Sequence, residues 1–250
     1  MTLDSYKMIN VNKVLKDFYL VCQPVVRVHH TLILDDVVDY EILIRSKVSE
    51  RFPYKEFKLL TAHEDTNAKF LHWFEQKIID ILNDFNSYRF DINIDPQQLS
   101  FFSTWRFFKR MALFHQNLAV EITEAIPLES KSTKMQNDLP TLYLHRLKKM
   151  GFTTVIDDID SGQNTLKLVT DNLHNIDRIK LSLLAFKELD SSVLLSFLKS
   201  WHQLADCYHL ELVIEGIDNI EDVAALVDND FLIQQGFYWQ KPEVITLNKS

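Results

Sequence analysis

The chain alternates short apolar runs with longer amphipathic ones. Phe18 to Val26 (F-Y-L-V-C-Q-P-V-V), Tyr40 to Arg45 (Y-E-I-L-I-R), Phe90 to Ile94 and Leu118 to Thr123 are short and rich in branched or aromatic residues. So are the runs around Val155-Ile156, Asp177 to Leu181, Leu212 to Glu215 and Leu232 to Gln235. Runs of this kind, bounded by turn-forming residues, predict buried strands. Between them the apolar period lengthens. Phe70, Phe74, Ile78, Ile81, Leu82 and Phe85 predict a helix over 67–85. Leu139, Tyr143, Leu147 and Met150 predict another, stopped by Gly151. Leu194, Phe197, Leu198, Trp201, Leu204 and Ala205 form the stripe of a third, capped by Asp190 or Ser191, and Asn219 caps a short fourth. Phe101 to Leu113 interleaves aromatics with Arg106, Lys109 and Arg110 and reads as an amphipathic helix on a core rather than a base-stacking surface. Residues 129–138 read as a polar loop, and His29-His30 and His63-Glu64-Asp65 as solvated loops.

Strand–helix alternation implies a parallel sheet with helices outside it. Eight strands in 250 residues match an α/β fold of the (β/α)8 TIM-like barrel type. No low-complexity linker interrupts the chain, so residues 1–17 read as a lead-in with a short helix and 18–250 as one barrel domain.

Composition narrows the classes. The hydrophobic fraction of 46% and charged fraction of 25% are those of an ordinary globular protein. A net charge of −8 argues against a nucleic acid polymer as partner, since that would need a basic face. Two cysteines make neither a disulfide framework nor a zinc cluster; Cys22 reads as a strand filler and Cys207 as a buried helix residue. With no signal-peptide region and no apolar run of membrane-spanning length, a cytoplasmic location is expected. Only four glycines occur, which suggests that each is kept where backbone geometry demands it.

The strands end in polar residues: Glu41, Asn93, Glu121, Asp157, Lys180, Glu215 and Gln235. In a barrel, the carboxyl ends of the strands form the active-site face, so these side chains would meet in one bowl. Asp157 and Asp158 are adjacent at a strand mouth, where mutual repulsion and lost hydration call for a compensating charge. A divalent cation would supply it; alternatively one acid caps the following helix and the other faces water. Oxygen-only ligands select Mg²⁺ or Mn²⁺ over zinc. Two such ions, about 3.5–4 Å apart, can clamp the attacking and leaving oxygens of a phosphoryl displacement. Lys180 would hold the water or offset developing charge. The residues thus describe a metal-dependent phosphoester hydrolase.

Eight motifs in order carry a family resemblance: Q-P-V-V from Gln23, E-I-L from Glu41, N-I-D-P-Q-Q-L from Asn93, E-I-T-E from Glu121, D-D-I-D-S-G from Asp157, I-K-L around Lys180, E-G-I-D from Glu215 and Q-G-F-Y-W-Q-K-P from Gln235. From about Phe18 to Pro242 the sequence resembles the EAL-domain family of cyclic-di-GMP phosphodiesterases. The resemblance implies Glu41, Asn93, Glu121, Asp157 and Glu215 as metal ligands, with Asp158 on a second ion. It implies Lys180 as the residue that positions water, and Gln23, Arg45 and Gln235 as contacts to the dinucleotide. Glu124 reads as a helix cap beyond its strand rather than a ligand. The implied reaction opens cyclic di-GMP to linear pGpG, and a homodimer or a separate protein partner would regulate it. Four positions depart from the family pattern. Ile42 replaces the alanine of the signature triplet, and Asp160 replaces the first glycine of the D-D-F-G-T-G loop, here followed by Ser161 and Gly162. Asp218 replaces the glutamate that braces that loop, and Ser182 an aspartate after the lysine. These departures sustain two alternatives to catalysis: a silent receptor for cyclic di-GMP, or a protein-interaction module on the same barrel.

Overall fold

The computed structural model of the protein describes residues 10–126 and 139–245. Eight strands close into a barrel in sequence order: β1 (Phe18–Val28), β2 (Leu34–Ser46), β3 (Phe90–Ile94), β4 (Leu118–Ile122), β5 (Thr153–Ile156), β6 (Arg178–Ser182), β7 (Glu211–Glu215) and β8 (Ile233–Gln235). All eight expected strands are present, and the fold is the TIM-like barrel that their spacing predicts.

One expectation about the sheet fails. The sheet is not parallel throughout, because β1 runs antiparallel to both β2 and β8. Residues 29–33 turn the chain directly from β1 into β2, with His29 N–H donating to Ile33 O at 2.8 Å. A chain that returns without a crossover helix can only pair antiparallel. The reversal places Gln23 directly opposite Glu41.

The helices are α1 (Val11–Asp17), α2 (Tyr54–Leu60), α3 (Glu64–Asp84), α4 (Phe102–Met111), α5 (Leu139–Lys149), α6 (Leu166–Asp171), α7 (Ser191–Tyr208) and α8 (Ile220–Val227). Helix α3 begins earlier than its apolar stripe suggests. Glu64 and Asp65 lie in its first turn rather than in a solvated loop, where their charge complements the helix N-terminus. Glu64 also accepts a hydrogen bond from Ser103 N at 2.8 Å, which links α3 to α4. On α4, Trp105, Phe107, Phe108 and Met111 are buried while Arg106, Lys109 and Arg110 face out, as an amphipathic helix requires. Asp190 caps α7 through Ser192 N, and Asn219 caps α8 through Asp222 N. Gly151 takes φ +90° just after α5, in close contact with the His115 ring, a geometry that disfavours any side chain. Cys22 is buried as expected, but Cys207 is exposed: it projects from α7 away from the stripe that packs on the barrel. The short helices α2 and α6 are too brief to show a period in the sequence. The polar loop expected over 129–138 lies outside the described residues.

Inside the barrel, the alternation of strand side chains stacks polar residues in two layers. The lower one centres on Arg178, fully buried, whose guanidinium contacts Asp39 at 2.5 Å, Asp91 at 3.1 Å and Glu211 at 2.7 Å. Burial pushes the Asp91 carboxyl up to about 6 despite that arginine. Two residues further along these strands lie Glu41, Asn93 and Lys180, the beginning of the upper layer.

Candidate active site

Lys180 is the hub of the upper layer. Its side chain is completely buried, and its ammonium reaches Glu215 at 2.6 Å, Glu121 at 2.8 Å and Glu41 at 3.3 Å. Glu41 is held from both sides as well: Asn93 Nδ2 donates to Oε1 at 2.7 Å and Gln235 Nε2 to Oε2 at 2.7 Å. Carboxylate oxygens of Glu41, Glu121 and Glu215 all lie within 4.8 Å of one another. A second cluster on the same criterion joins Asp157, Asp158 and Glu124. Of these, Glu124 was not expected. β4 ends at Ile122, so strand alternation does not place it; the loop after β5 does. Gly162 lies so close to Glu124 that a Cβ there would sit 2.0 Å from the Glu124 carbonyl oxygen, and Gln163 N donates to that oxygen at 3.1 Å.

The electrostatics follow from burial. Desolvation raises Glu121 and Asp157 well above the ordinary carboxylate range; Lys180 opposes the rise, and neighbouring carboxylates add to it. Glu215 is pushed up to about 7 by burial, against Lys180. Burial and the Glu124 charge raise Asp158. Glu41 goes the other way. Burial would raise it, but the Lys180 charge and hydrogen bonds from Asn93, Gln235 and Lys180 hold it below its usual value. Burial would lower Lys180, yet Glu121, Glu215, Glu41 and Asp157 together lift it well above the normal lysine range, so it stays protonated.

The donor set fits hard divalent cations. Glu121 Oε2, Asp158 Oδ1 and Gln235 Oε1 are buried without a hydrogen-bond partner. Buried polar atoms are rarely left so, and unpaired oxygens in an acidic cluster are the signature of a place made for a cation. Asn93 donates its amide N–H to Glu41, so its carbonyl oxygen is not used in that bond.

The sequence profile of the EAL domain matches residues 8–242. The chain belongs to the EAL domain family. A relative from Borreliella burgdorferi, the cyclic di-GMP phosphodiesterase PdeA, is 30% identical over 162 residues, which cover 62% of this chain but only 23% of PdeA. Among solved structures, a standalone versatile EAL protein from Vibrio cholerae O395 in a c-di-GMP bound form superposes with a TM-score of 0.68. The match is at 22% identity and covers 91% of this chain and 92% of that one. Klebsiella pneumoniae BlrP1, in a manganese/cy-diGMP complex, gives 0.71 at 19% identity, covering 91% of this chain and 56% of that one. At these identities the structures speak for the shared barrel.

The remaining expected residues of this EAL domain divide into two groups. Gln23 and Arg45 lie on β1 and β2 beside Glu41: Gln23 Nε2 donates to Gln240 O at 3.1 Å, and Arg45, half-buried, donates to Ile44 O at 2.9 Å. Asp160, Ser161 and Gly162 form the loop beyond Asp158, and Asp160 adopts φ +64°, a conformation open to aspartate more than to most residues. Asp218 makes no hydrogen bond to that loop. It is exposed, and its carboxylate makes no hydrogen bond or ion pair among the described residues. Ser182 ends β6 opposite Glu215. An apolar cavity of about 520 Å³ lies on the far side of the same loop, against α7, and contains none of the expected ligands. No helix among the described residues is long and apolar enough to cross a membrane.

Proposed function

We propose that this chain is a metal-dependent phosphodiesterase that hydrolyses cyclic di-GMP to linear pGpG. The observation that carries the reading is the buried Lys180 hub. It joins three carboxylates from three strands beside a second acidic cluster, with oxygens of both clusters left unpaired. Membership of the EAL family and the named activity of PdeA support cyclic di-GMP as the substrate. Glu41, Asn93, Glu121 and Glu215 would hold one Mg²⁺ or Mn²⁺, and Asp157, Asp158 and Glu124 the other edge of a two-ion site. When bound, such ions polarise a phosphoryl oxygen and lower the pKa of water towards neutrality. The chain's own residues do the rest. Lys180, protonated throughout the physiological range, cannot act as base; it orients Glu41, Glu121 and Glu215 and donates hydrogen bonds to oxygen as charge develops. Asp157, held protonated by burial without cations, would be ionised by them and could then accept the proton of the attacking water. Water adds at one phosphorus, one ester P–O bond breaks, and the departing sugar oxygen takes a proton from solvent while Asp157 returns its own to solvent, giving the linear dinucleotide. Gln23, Arg45 and Gln235 line the approach and would hold the phosphates and guanines.

The exposed Asp218 and the altered loop favour a second reading, in which the domain binds cyclic di-GMP without turning it over. Incubation of the purified protein with cyclic di-GMP and Mn²⁺, followed by chromatography, separates the two. Accumulating pGpG supports the phosphodiesterase. No product, with heat released on titrating the dinucleotide in Ca²⁺, leaves the receptor.

A further inference from the structure

The loop that carries Asp157 and Asp158 is held in an unfavourable backbone conformation. Asp158 and Asp160 both have positive φ, +41° and +64°, which residues with a Cβ adopt only when their surroundings enforce it. Backbone contacts fix part of the loop. Ile159, buried, donates its N–H to Lys180 O at 3.0 Å, and Asp160 N–H donates to Asn164 O at 2.7 Å. The side chain of Asp160 is fixed from outside the loop. The indole Nε1–H of Trp201 donates to Asp160 Oδ2 at 2.9 Å. Trp201 belongs to α7 and is 4% exposed, and it lines the apolar cavity with Leu166, Phe186, Phe197 and Leu204. A glycine at position 160 could not accept this bond, and Asp218 makes no hydrogen bond among the described residues that would replace it.

We infer that Trp201 is a positioning residue for the Asp157–Asp158 edge of the site. Its indole anchors the Asp160 carboxylate to a helix that packs on the barrel, and so keeps the preceding residues in the conformation that aims Asp158 at Asp157 and Glu124. The inference rests on the proposed function, because it takes that edge to hold a cation. Ligand atoms must sit within a few tenths of an ångström of their ideal positions to bind, so a loosened loop costs affinity before it costs fold.

The test is Mn²⁺ titration of the full chain, by calorimetry and electron paramagnetic resonance. It compares wild type, Trp201→Phe, Asp160→Gly and the double variant, with thermal unfolding to verify the fold of each. Phenylalanine keeps an aromatic ring there and removes the donor together with part of the indole's volume; the double variant separates the two effects. We expect Trp201→Phe to weaken the second Mn²⁺ about tenfold, the lower end for a hydrogen bond to a charged group. The first Mn²⁺ should be unchanged, and kcat for cyclic di-GMP should fall with KM within about twofold. Asp160→Gly, at an exposed position that does not threaten folding, should weaken the same ion by a similar factor. The double variant should be no worse than either single one, because both remove one contact. Wild-type affinity in either single variant would overturn the inference, as would an undiminished effect of Trp201→Phe in the Asp160→Gly background, which would reduce Trp201 to a packing residue. Wild-type protein that binds no Mn²⁺ would overturn the proposed function and this inference together.

Discussion

Replacing Lys180 by methionine removes one charge from a place where three carboxylates depend on it. The ammonium is fully buried and lies 2.6, 2.8 and 3.3 Å from Glu215, Glu121 and Glu41. Removing one partner of a buried ion cluster costs about 3–5 kcal/mol, because the other charges stay in low dielectric without compensation. For a domain of this size each kcal/mol moves the melting temperature by about 2–4 °C, so metal-free Lys180→Met should melt roughly 6–20 °C below wild type at pH 8. The loss should shrink at lower pH. Without the lysine the three carboxyls hold protons more tightly, and at pH 6 more of them are neutral, which removes the repulsion. It should also shrink in Mn²⁺. A cation at a hundred times its dissociation constant adds about 2.7 kcal/mol of stability and supplies positive charge to the same oxygens. Differential scanning calorimetry at pH 6 and pH 8, in chelator and in Mn²⁺, measures all four conditions. Equal melting temperatures for metal-free wild type and variant at pH 8 would refute the view that this lysine neutralises the cluster.

Two further outcomes follow from the same geometry. Gly162→Ala builds a Cβ 2.0 Å from the Glu124 carbonyl oxygen at φ +51°, so the loop and Glu124 must separate by more than 1 Å to reach ordinary contact. Mn²⁺ stoichiometry should then fall from two to one while the ion at Glu41, Glu121 and Glu215 persists; two ions with wild-type affinities would show that Glu124 holds none. In chelator, wild-type protein should lose stability as pH rises from about 5 to 7. Glu215 titrates at about 7 when folded against an ordinary value of 4.5 when unfolded, so over this interval the folded state binds more protons than the unfolded one. Glu41, with its lowered value, adds stability that is lost only at more acidic pH and leaves this window unaffected. Mg²⁺ should abolish or reverse the slope, since cation binding favours the ionised carboxylates; a flat chelated profile in thermal melts would contradict the burial argument.

The barrel was legible because its repeat is written in polar strand ends. Asn93, Glu121, Glu215 and Gln235 lie at or next to the ends of their strands, Lys180 two residues before the end of β6, and Glu41 inside β2. Hydrogen bonds and ion pairs nevertheless join all six in one network. What escaped the reading were contacts that no local period encodes. Glu124 reaches Asp157 and Asp158 from beyond the last paired residue of β4, through the close approach that Gly162 permits. Arg178 looks like the polar start of a strand, yet its length lets it thread the barrel floor to Asp39, Asp91 and Glu211, three partners far apart in sequence. The direction of β1 was missed for a related reason. Strand periodicity is the same in both directions, and only the shortness of the 29–33 turn could have signalled a hairpin. The tie between Trp201 and Asp160 is hidden too, because Trp201 fits the apolar stripe of α7 and nothing local marks a partner for its indole N–H.

The eighth stave of the cylinder is also its slightest. β8 has three residues, joined to β7 at Ile214 and Glu215 and to β1 at Val26 and Arg27. The chain beyond it doubles back, and Glu243 exchanges two backbone hydrogen bonds with Cys22, strapping the tail across β1 beside Gln23. Gln235, which grips Glu41, therefore rides on the segment with the fewest backbone ties, while Lys180 and Glu121 sit on longer neighbours across the mouth. Breathing of the mouth would consequently loosen the Gln235 side of Glu41 first, while Asn93 and Lys180 still hold that carboxylate.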